Sequence, residues 1–193
     1  MFTITSVRSA GYLNDKTIFA EVQSDGATNP DGTPAYLPLT LTDDDYGPDA
    51  QLLRAIKEKY PITVPGLVLD EARRKKRAEI NQWRDEQENG SYLFEYDGHK
   101  WDYGKATQDR MSISLTMAKR GALPAGFAWT DGDNNIVPMD NAGMIALAAA
   151  IEQAMFEKGM QINQRQLQMK AEVEALTTLE AVKAYVVDWP EGN

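Results

Sequence analysis

Apolar and polar residues alternate along residues 2–7 and 17–23, the two-residue period of strands with one buried face. The Asn14-Asp15 pair between them is turn chemistry, which predicts a hairpin. Residues 24–34 concentrate backbone punctuators, Asp25-Gly26 and Asn29-Pro30-Asp31-Gly32, ahead of a third apolar stretch at 35–41. Together these predict a three-stranded meander with an exposed loop. Beyond Pro48 the pattern changes period: Leu52, Leu53, Ile56 and Tyr60 recur at helical spacing until Pro61 forbids continuation. Burying such side chains contributes roughly 1.5–3 kcal/mol each, so the helix is expected to cover a matching apolar face of the sheet.

Residues 61–66 hold two prolines and a glycine and read as a hinge, giving a linker at 63–69. A charged helix follows over 67–89, with Leu69, Ala72, Ile80 and Trp83 as its narrow apolar stripe and Gly90 as its stop. Two short alternating runs, 92–96 and 99–103, flank Asp97-Gly98, the pair that supplies both positive φ angles of a type I′ turn. A helix over 107–120 presents Met111, Leu115 and Ala118 on one side and stops at Gly121. Residues 127–130 and 136–139 predict a second hairpin across Asp131-Gly132-Asp133-Asn134-Asn135.

Asp140 fits the N-cap of a long helix over 141–175. Met144, Ala148, Ile151, Met155, Ile162, Met169 and Leu176 fall near a 3.5-residue seam that Lys158 and Arg165 interrupt. At 1.5 Å per residue this helix spans about 50 Å, so it calls for another helix, another subunit or a break near Gly159. Residues 177–180 offer a capping box for a last helix carrying Val182, Tyr185 and Val186. The expected fold class is α+β. A β-rich module with a helix occupies 1–62, a linker 63–69, and a mainly helical domain with two hairpins 70–193.

Composition narrows the chemistry. With 20 Lys and Arg against 29 Asp and Glu, the 193 residues carry a formal charge of −9, which argues against binding nucleic acid by phosphate neutralisation. The basic run Arg73-Arg74-Lys75-Lys76-Arg77 points all round a helix axis, and the acids flanking it cancel its charge. The absence of cysteine excludes disulfides and thiolate chemistry, and one histidine excludes multi-histidine metal centres. No stretch reaches the roughly 20 apolar residues of a spanning helix, and the N-terminus lacks the basic and apolar blocks of a signal peptide.

His99 reads as an exposed turn histidine without a nucleophile-elbow serine. Asp131-x-Asp133-x-Asn135 begins like a calcium loop, but Ile136 and Ala142 stand where glycine and a bidentate glutamate are required. Asp43-Asp44-Asp45 reads as a device favouring the start of the next helix through its macrodipole. These readings predict a protein without catalytic residues, metal or cofactor. Aromatic side chains dominate both cores and interface hot spots. Trp101, Tyr103 and Trp129 in the hairpins, with Trp189 in Asp-Trp-Pro, are the candidate protein-binding residues.

The order of motifs resembles a family of bacteriophage tail-associated proteins. A basic helix leads to Phe94-x-Tyr96-Asp97-Gly98-His99-Lys100-Trp101-Asp102 and then to Asp109-Arg110-Met111-Ser112-Ile113. Trp129-Thr130-Asp131-Gly132-Asp133-Asn134 and a long helix follow. The ending Val187-Asp188-Trp189-Pro190 is similar to the closing motif of tail-fibre assembly chaperones, and the first 60 or so residues look like the β-rich leader of small proteins encoded beside tail genes. The resemblance implies a non-enzymatic tail protein with a fibre or tail-tip partner. It would work in the host cytoplasm during assembly or stay in the virion tail. Self-association through the 141–175 seam is a further expectation.

Overall fold

A computed structural model describes residues 3–44 and 46–190; Phe2 and Asp45 of the sequence reading lie outside them. The fold is α+β, and its contacts gather into two compact units, Met1–Ala78 with Glu172–Val186 and Glu79–Ala171 with Val187–Asn193. Positions 63–69 fall inside the first unit, and the 172–186 segment is grouped with the N-terminal residues rather than with the rest of 70–193.

In the first unit, strands β1 (Ile4–Asn14), β2 (Thr17–Ser24) and β3 (Leu37–Thr42) form an antiparallel sheet in that order. The meander is as expected, but β1 runs seven residues past Val7, and the turn is one residue later than Asn14-Asp15. Three register shifts at Ile4/Ser6, Val7/Ser9 and Tyr12/Asn14 break the alternation that would have revealed it. The Asn14 side chain accepts the Lys16 N–H at 2.9 Å, closing the turn. Arg8 and Ser9 both reach Glu21 across the strands, so polar side chains continue the pairing.

Ile18, Ala20 and Val22 alternate on β2 and are fully buried, which puts them on one face of the sheet. Helix α1 (Ala50–Lys59) lays Ile56 into a cluster with Ile4, Ala10, Ala20, Val22 and Leu41, as the helical spacing predicts. Asp49 does not cap α1 with its side chain; its carboxylate accepts the Thr42 N–H at 2.8 Å. Asp43 is a strap and not a helix-favouring charge. It accepts from Tyr12 Oη at 2.7 Å and from Lys183 Nζ at 2.6 Å. Burial pushes its carboxyl up, but Lys183 and Tyr12 outweigh burial and hold it below the usual range.

The hinge-like 61–66 stretch is held to β1: Tyr12 N–H donates to the Thr63 carbonyl at 2.9 Å, and Thr63 N–H to the Ala10 carbonyl at 3.0 Å. Helix α2 (Gly66–Glu88) brings Val68 and Ala72 to a cluster with Tyr12, Ile18 and Leu53. Leu179 and Val182 of helix α5 (Leu179–Ala184) complete it. Thr178 caps α5 by accepting the Ala181 N–H at 3.2 Å, one position later than a Thr177 capping box would place it. The helix ends before Tyr185 and Val186.

The second unit contains the hairpins β4 (Tyr92–Tyr96) with β5 (His99–Tyr103) and β6 (Ala128–Thr130) with β7 (Ile136–Pro138). Asp97 at φ 50° and Gly98 at φ 76° form the expected turn. Helix α3 (Lys105–Lys119) begins two residues before the predicted Thr107. It ends in a Schellman arrangement, Ala122 N–H to the Met117 carbonyl and Gly121 N–H to the Ala118 carbonyl. Helix α4 (Asn141–Ala175) has the predicted bounds, and the Asp140 carboxylate accepts the Gly143 N–H at 2.7 Å.

Helix α4 is unbroken at Gly159. Its expected seam is filled within the chain: Met144, Ala148, Ile151, Ile162 and Met169 are all buried, which removes this face from any self-association. Leu147, Gln166 and Val173 are buried as well, so the buried stripe is wider than a two-position seam. No helix among the described residues is long and apolar enough to cross a membrane.

Candidate functional site

The second unit is built around α4. Met144, Leu147, Ala148 and Ile151 pack with Met111 and Ala118 of α3 and with Trp101 of β5. Trp101 is 2% exposed, and its Nε1 donates to the Tyr96 carbonyl at 3.0 Å within the same hairpin. A position that faces inward from a two-residue period becomes the floor of the unit, so Trp101 is a core residue and not a surface anchor. Tyr103 and Trp129 are half-buried against the same cluster. The Tyr103 ring lies 5.4 Å from Tyr92 and edge-on to Phe94 at 5.5 Å. Burial, then the charge of Glu157, pushes its phenol up.

Trp189 is apart from these three. It meets Trp83 edge-on at 5.1 Å, Lys158 Nζ lies 4.3 Å from its ring centre, and its Nε1 donates to Gln87 Oε1 at 2.9 Å. Arg165 Nε donates to the Asp188 carbonyl at 2.8 Å, fixing the approach of this segment. The Asp-Trp-Pro ending is thereby a latch within the unit, with its indole already engaged. Three of the four candidate residues thus share one cluster, and the fourth is held elsewhere.

The hairpins themselves are joined by polar groups that lie 32 positions apart in sequence. His99 Nδ1 stands 3.0 Å from Asp131 Oδ2, and Gly132 N–H donates to the Lys100 carbonyl at 2.7 Å. His99 is therefore half-buried and partnered rather than an exposed turn residue, because the second hairpin closes over it. Asp131 is buried at 5% exposure and accepts from Asn135 Nδ2 at 3.0 Å, Asn135 N–H at 2.8 Å and Asp133 N–H at 3.0 Å. The Asn135 side chain is the chief cause that lowers its carboxyl to about 2, against the upward push of burial, with the backbone donors and His99 adding to it. The calcium-like Asp-x-Asp-x-Asn run thus turns its first carboxylate inward onto N–H donors.

Gly132 is closely approached here: a Cβ would sit 2.7 Å from Cδ2 of the exposed Leu93, which can turn away, and 3.2 Å from the Lys100 carbonyl oxygen, which would have to give slightly. On the side of α3, Asp102 accepts from Arg110 Nη2 at 2.7 Å and from the buried Thr107 hydroxyl. This places a carboxylate at the first turn of a helix whose N-cap, Gly104, has no side chain to offer.

Around the joint lie three surface clefts. The first, about 560 Å³, has Trp101 at its floor and Tyr96, Phe127, Val137, Pro138 and Met139 among its walls. The second, about 430 Å³, exposes one side of Trp129 together with Leu93 and Arg110. The third, about 530 Å³, is polar and holds Glu95, Asp97, Lys100, Asp133 and Asn135 beside His99. No serine, threonine or cysteine lines the two clefts that share His99. Among the described residues no three His, Cys, Asp or Glu side chains converge to hold a metal.

The fold and this joint define an α+β chain whose second unit is a pair of hairpins clamped on a long helix. The chain belongs to the family of the domain of unknown function DUF4376, which matches residues 71–187. A search of curated proteins and of solved structures returns no match.

Proposed function

We propose that this is a non-enzymatic bacteriophage tail protein, a tail-fibre assembly chaperone that binds the fibre and aids its folding or trimerisation. The reading starts from the resemblance in motif order. The observation that supports it most is the first cleft: a groove of about 560 Å³ between the hairpins and the start of α4, with buried Trp101 as its floor and apolar walls of Tyr96, Phe127, Val137 and Met139 interrupted by the polar His99. Such a groove, pre-formed and fringed by Asp97 and Asp140, suits an extended or helical segment of a folding partner. The apolar surface moves from the tryptophans named by sequence to Tyr96, Phe127, Val137 and Met139. His99 and Asp131 act in this reading as the joint that holds the groove's shape.

Co-expression with the neighbouring fibre gene tests it. The fibre is expected to become soluble and trimeric with the wild-type chain. Pro138→Glu, which puts a charge on an exposed position of the groove, is expected to abolish that effect while leaving circular dichroism unchanged. Fibre that is equally soluble without this chain would refute the chaperone reading. A second reading, a component retained at the tail tip or fibre base, is favoured by the apolar residues that α4 still exposes. Stoichiometric copies in purified particles would support it, and their absence would rule it out.

A further inference from the structure

Helix α4 has a second face. Ile145, Ala149, Gln153, Phe156, Met160, Asn163, Leu167 and Ala171 are all exposed, with Phe156 at 63%, Met160 at 60% and Leu167 at 58%. At 3.6 residues per turn these eight fall within an arc of about 80° that faces away from the buried stripe. The arc runs about 39 Å along the helix and carries no charge. All of it lies in the second unit.

The spacings along this face are four, four, three, four, three, four and four, the same read in either direction about position 158. The chemistry follows the same symmetry. Ile145 mirrors Ala171, Ala149 mirrors Leu167, Gln153 mirrors Asn163, and Phe156 mirrors Met160. A surface that is its own complement under reversal is what a two-fold, isologous interface requires.

From this face we infer that the protein forms a homodimer in which the outward face of α4 packs antiparallel against the same face of a second copy, with the two-fold axis near Lys158. Each large apolar residue toward the ends then meets a small one: Ile145 the partner's Ala171, and Leu167 the partner's Ala149. Phe156 and the partner's Met160 fill the centre, and Gln153 and the partner's Asn163 can exchange amide hydrogen bonds. Knob and hole sizes therefore match without a void at either end. Glu152 and Lys170 border the same edge of the face. In the antiparallel pair Glu152 lies about 9 Å along the axis from the partner's Lys170, so opposite charges share that edge. A parallel pair would instead place Phe156 on Phe156 and leave Ala149 and Ala171 facing themselves, and it would carry the Glu152 and Lys170 edges of the two copies to opposite sides of the interface. This inference does not rest on the tail-fibre reading.

Because the chain has no cysteine, engineered thiols report the register without interference. Full-length Gln153→Cys and Asn163→Cys chains are oxidised separately and as a mixture. A disulfide is expected in the mixture, joining one chain of each kind, with little in either separate sample. Disulfides within the separate samples, or none anywhere, would overturn the antiparallel register. Sedimentation equilibrium of the unmodified chain should give a concentration-dependent dimer. A monomer up to hundreds of micromolar overturns the proposal and leaves the face to a different partner. Phe156→Glu should weaken the dimer on the order of tenfold or more. It should leave circular dichroism unchanged, because Phe156 is exposed within one copy.

Discussion

The two units solve the problem of a small core by different means. In the first, a sheet with one buried face takes Ile56 of α1 on one part of it and Val68, Ala72, Leu179 and Val182 on another, and charged side chains strap distant segments: Lys183 to Asp43, Lys75 to Asp15, and Arg73 to the Leu176 carbonyl. In the second, two hairpins too short to be stable alone are mounted on one helix, and a buried aspartate with its histidine closes the joint. Layered apolar burial tolerates the loss of a polar strap, since exposed or half-exposed ion pairs contribute little. A joint made of buried polar groups is less forgiving, because removing one member leaves the others unsatisfied.

The sharpest way to break this contrast is to hollow each core in turn. Trp101→Ala should cost about 3–5 kcal/mol, the usual result for a fully buried large aromatic, and Trp101 is 2% exposed. All four tryptophans, Trp83, Trp101, Trp129 and Trp189, belong to the second unit, so the fluorescence of the remaining three follows that unit alone in urea. Leu179→Ala, in the first unit, should cost about 2–5 kcal/mol. Its effect is expected in the far-ultraviolet dichroism transition and not in the fluorescence transition. Equal shifts in both signals would mean that the units unfold as one.

Gly132→Ala tests the joint by crowding. The added methyl meets Leu93 Cδ2 at 2.7 Å and the Lys100 carbonyl oxygen at 3.2 Å; the exposed Leu93 can turn away, so the cost should be about 1 kcal/mol, the low end of overpacking. Pairing it with Leu93→Ala removes the nearer clash. The double variant is therefore expected to recover part of the loss, and strict additivity in the urea midpoints would contradict the packing argument.

How far the two units could be read in advance follows the same division. Ile18, Ala20, Val22 and the helical run Leu53-x-x-Ile56 declare themselves because burial there repeats at the period of a single element. Asp97-Gly98 is legible because only a few residue pairs tolerate two successive positive φ angles. The second half of β1 is hidden by its bulges, and the docking of residues 172–186 with Tyr12 and Ile18 has no local signal at all. His99 and Asp131 look like a turn residue and a failed calcium ligand until folding sets them 3.0 Å apart. Trp101 and Trp189 are recognisable as important by size, yet sequence does not say that one is a floor and the other a latch, since the same ring serves a core or an interface.

The smallest effect, and the one most specific to the joint, is in acid. The Asp131 carboxyl lies at about 2 in the folded chain against an ordinary 3.8, so the unfolded chain binds its proton more readily than the folded one. Its stabilising contribution is complete above the unfolded value and drains away as pH falls from there through the folded value. In Asp131→Asn that contribution is absent at every pH, while the shape of the side chain is kept. The difference in stability between wild type and variant, followed by tryptophan fluorescence, should therefore be constant at neutral pH, narrow below 3.8, and have largely closed at about 2. His99→Gln removes one donor but leaves Asn135 and the two backbone N–H groups, and Asn135 makes the largest contribution to the lowered value. It should accordingly shift this acid limb upward in pH by less than Asn135→Ala does. If His99→Gln moved it more, the histidine and not the Asn135 turn would be the main support of the buried carboxylate.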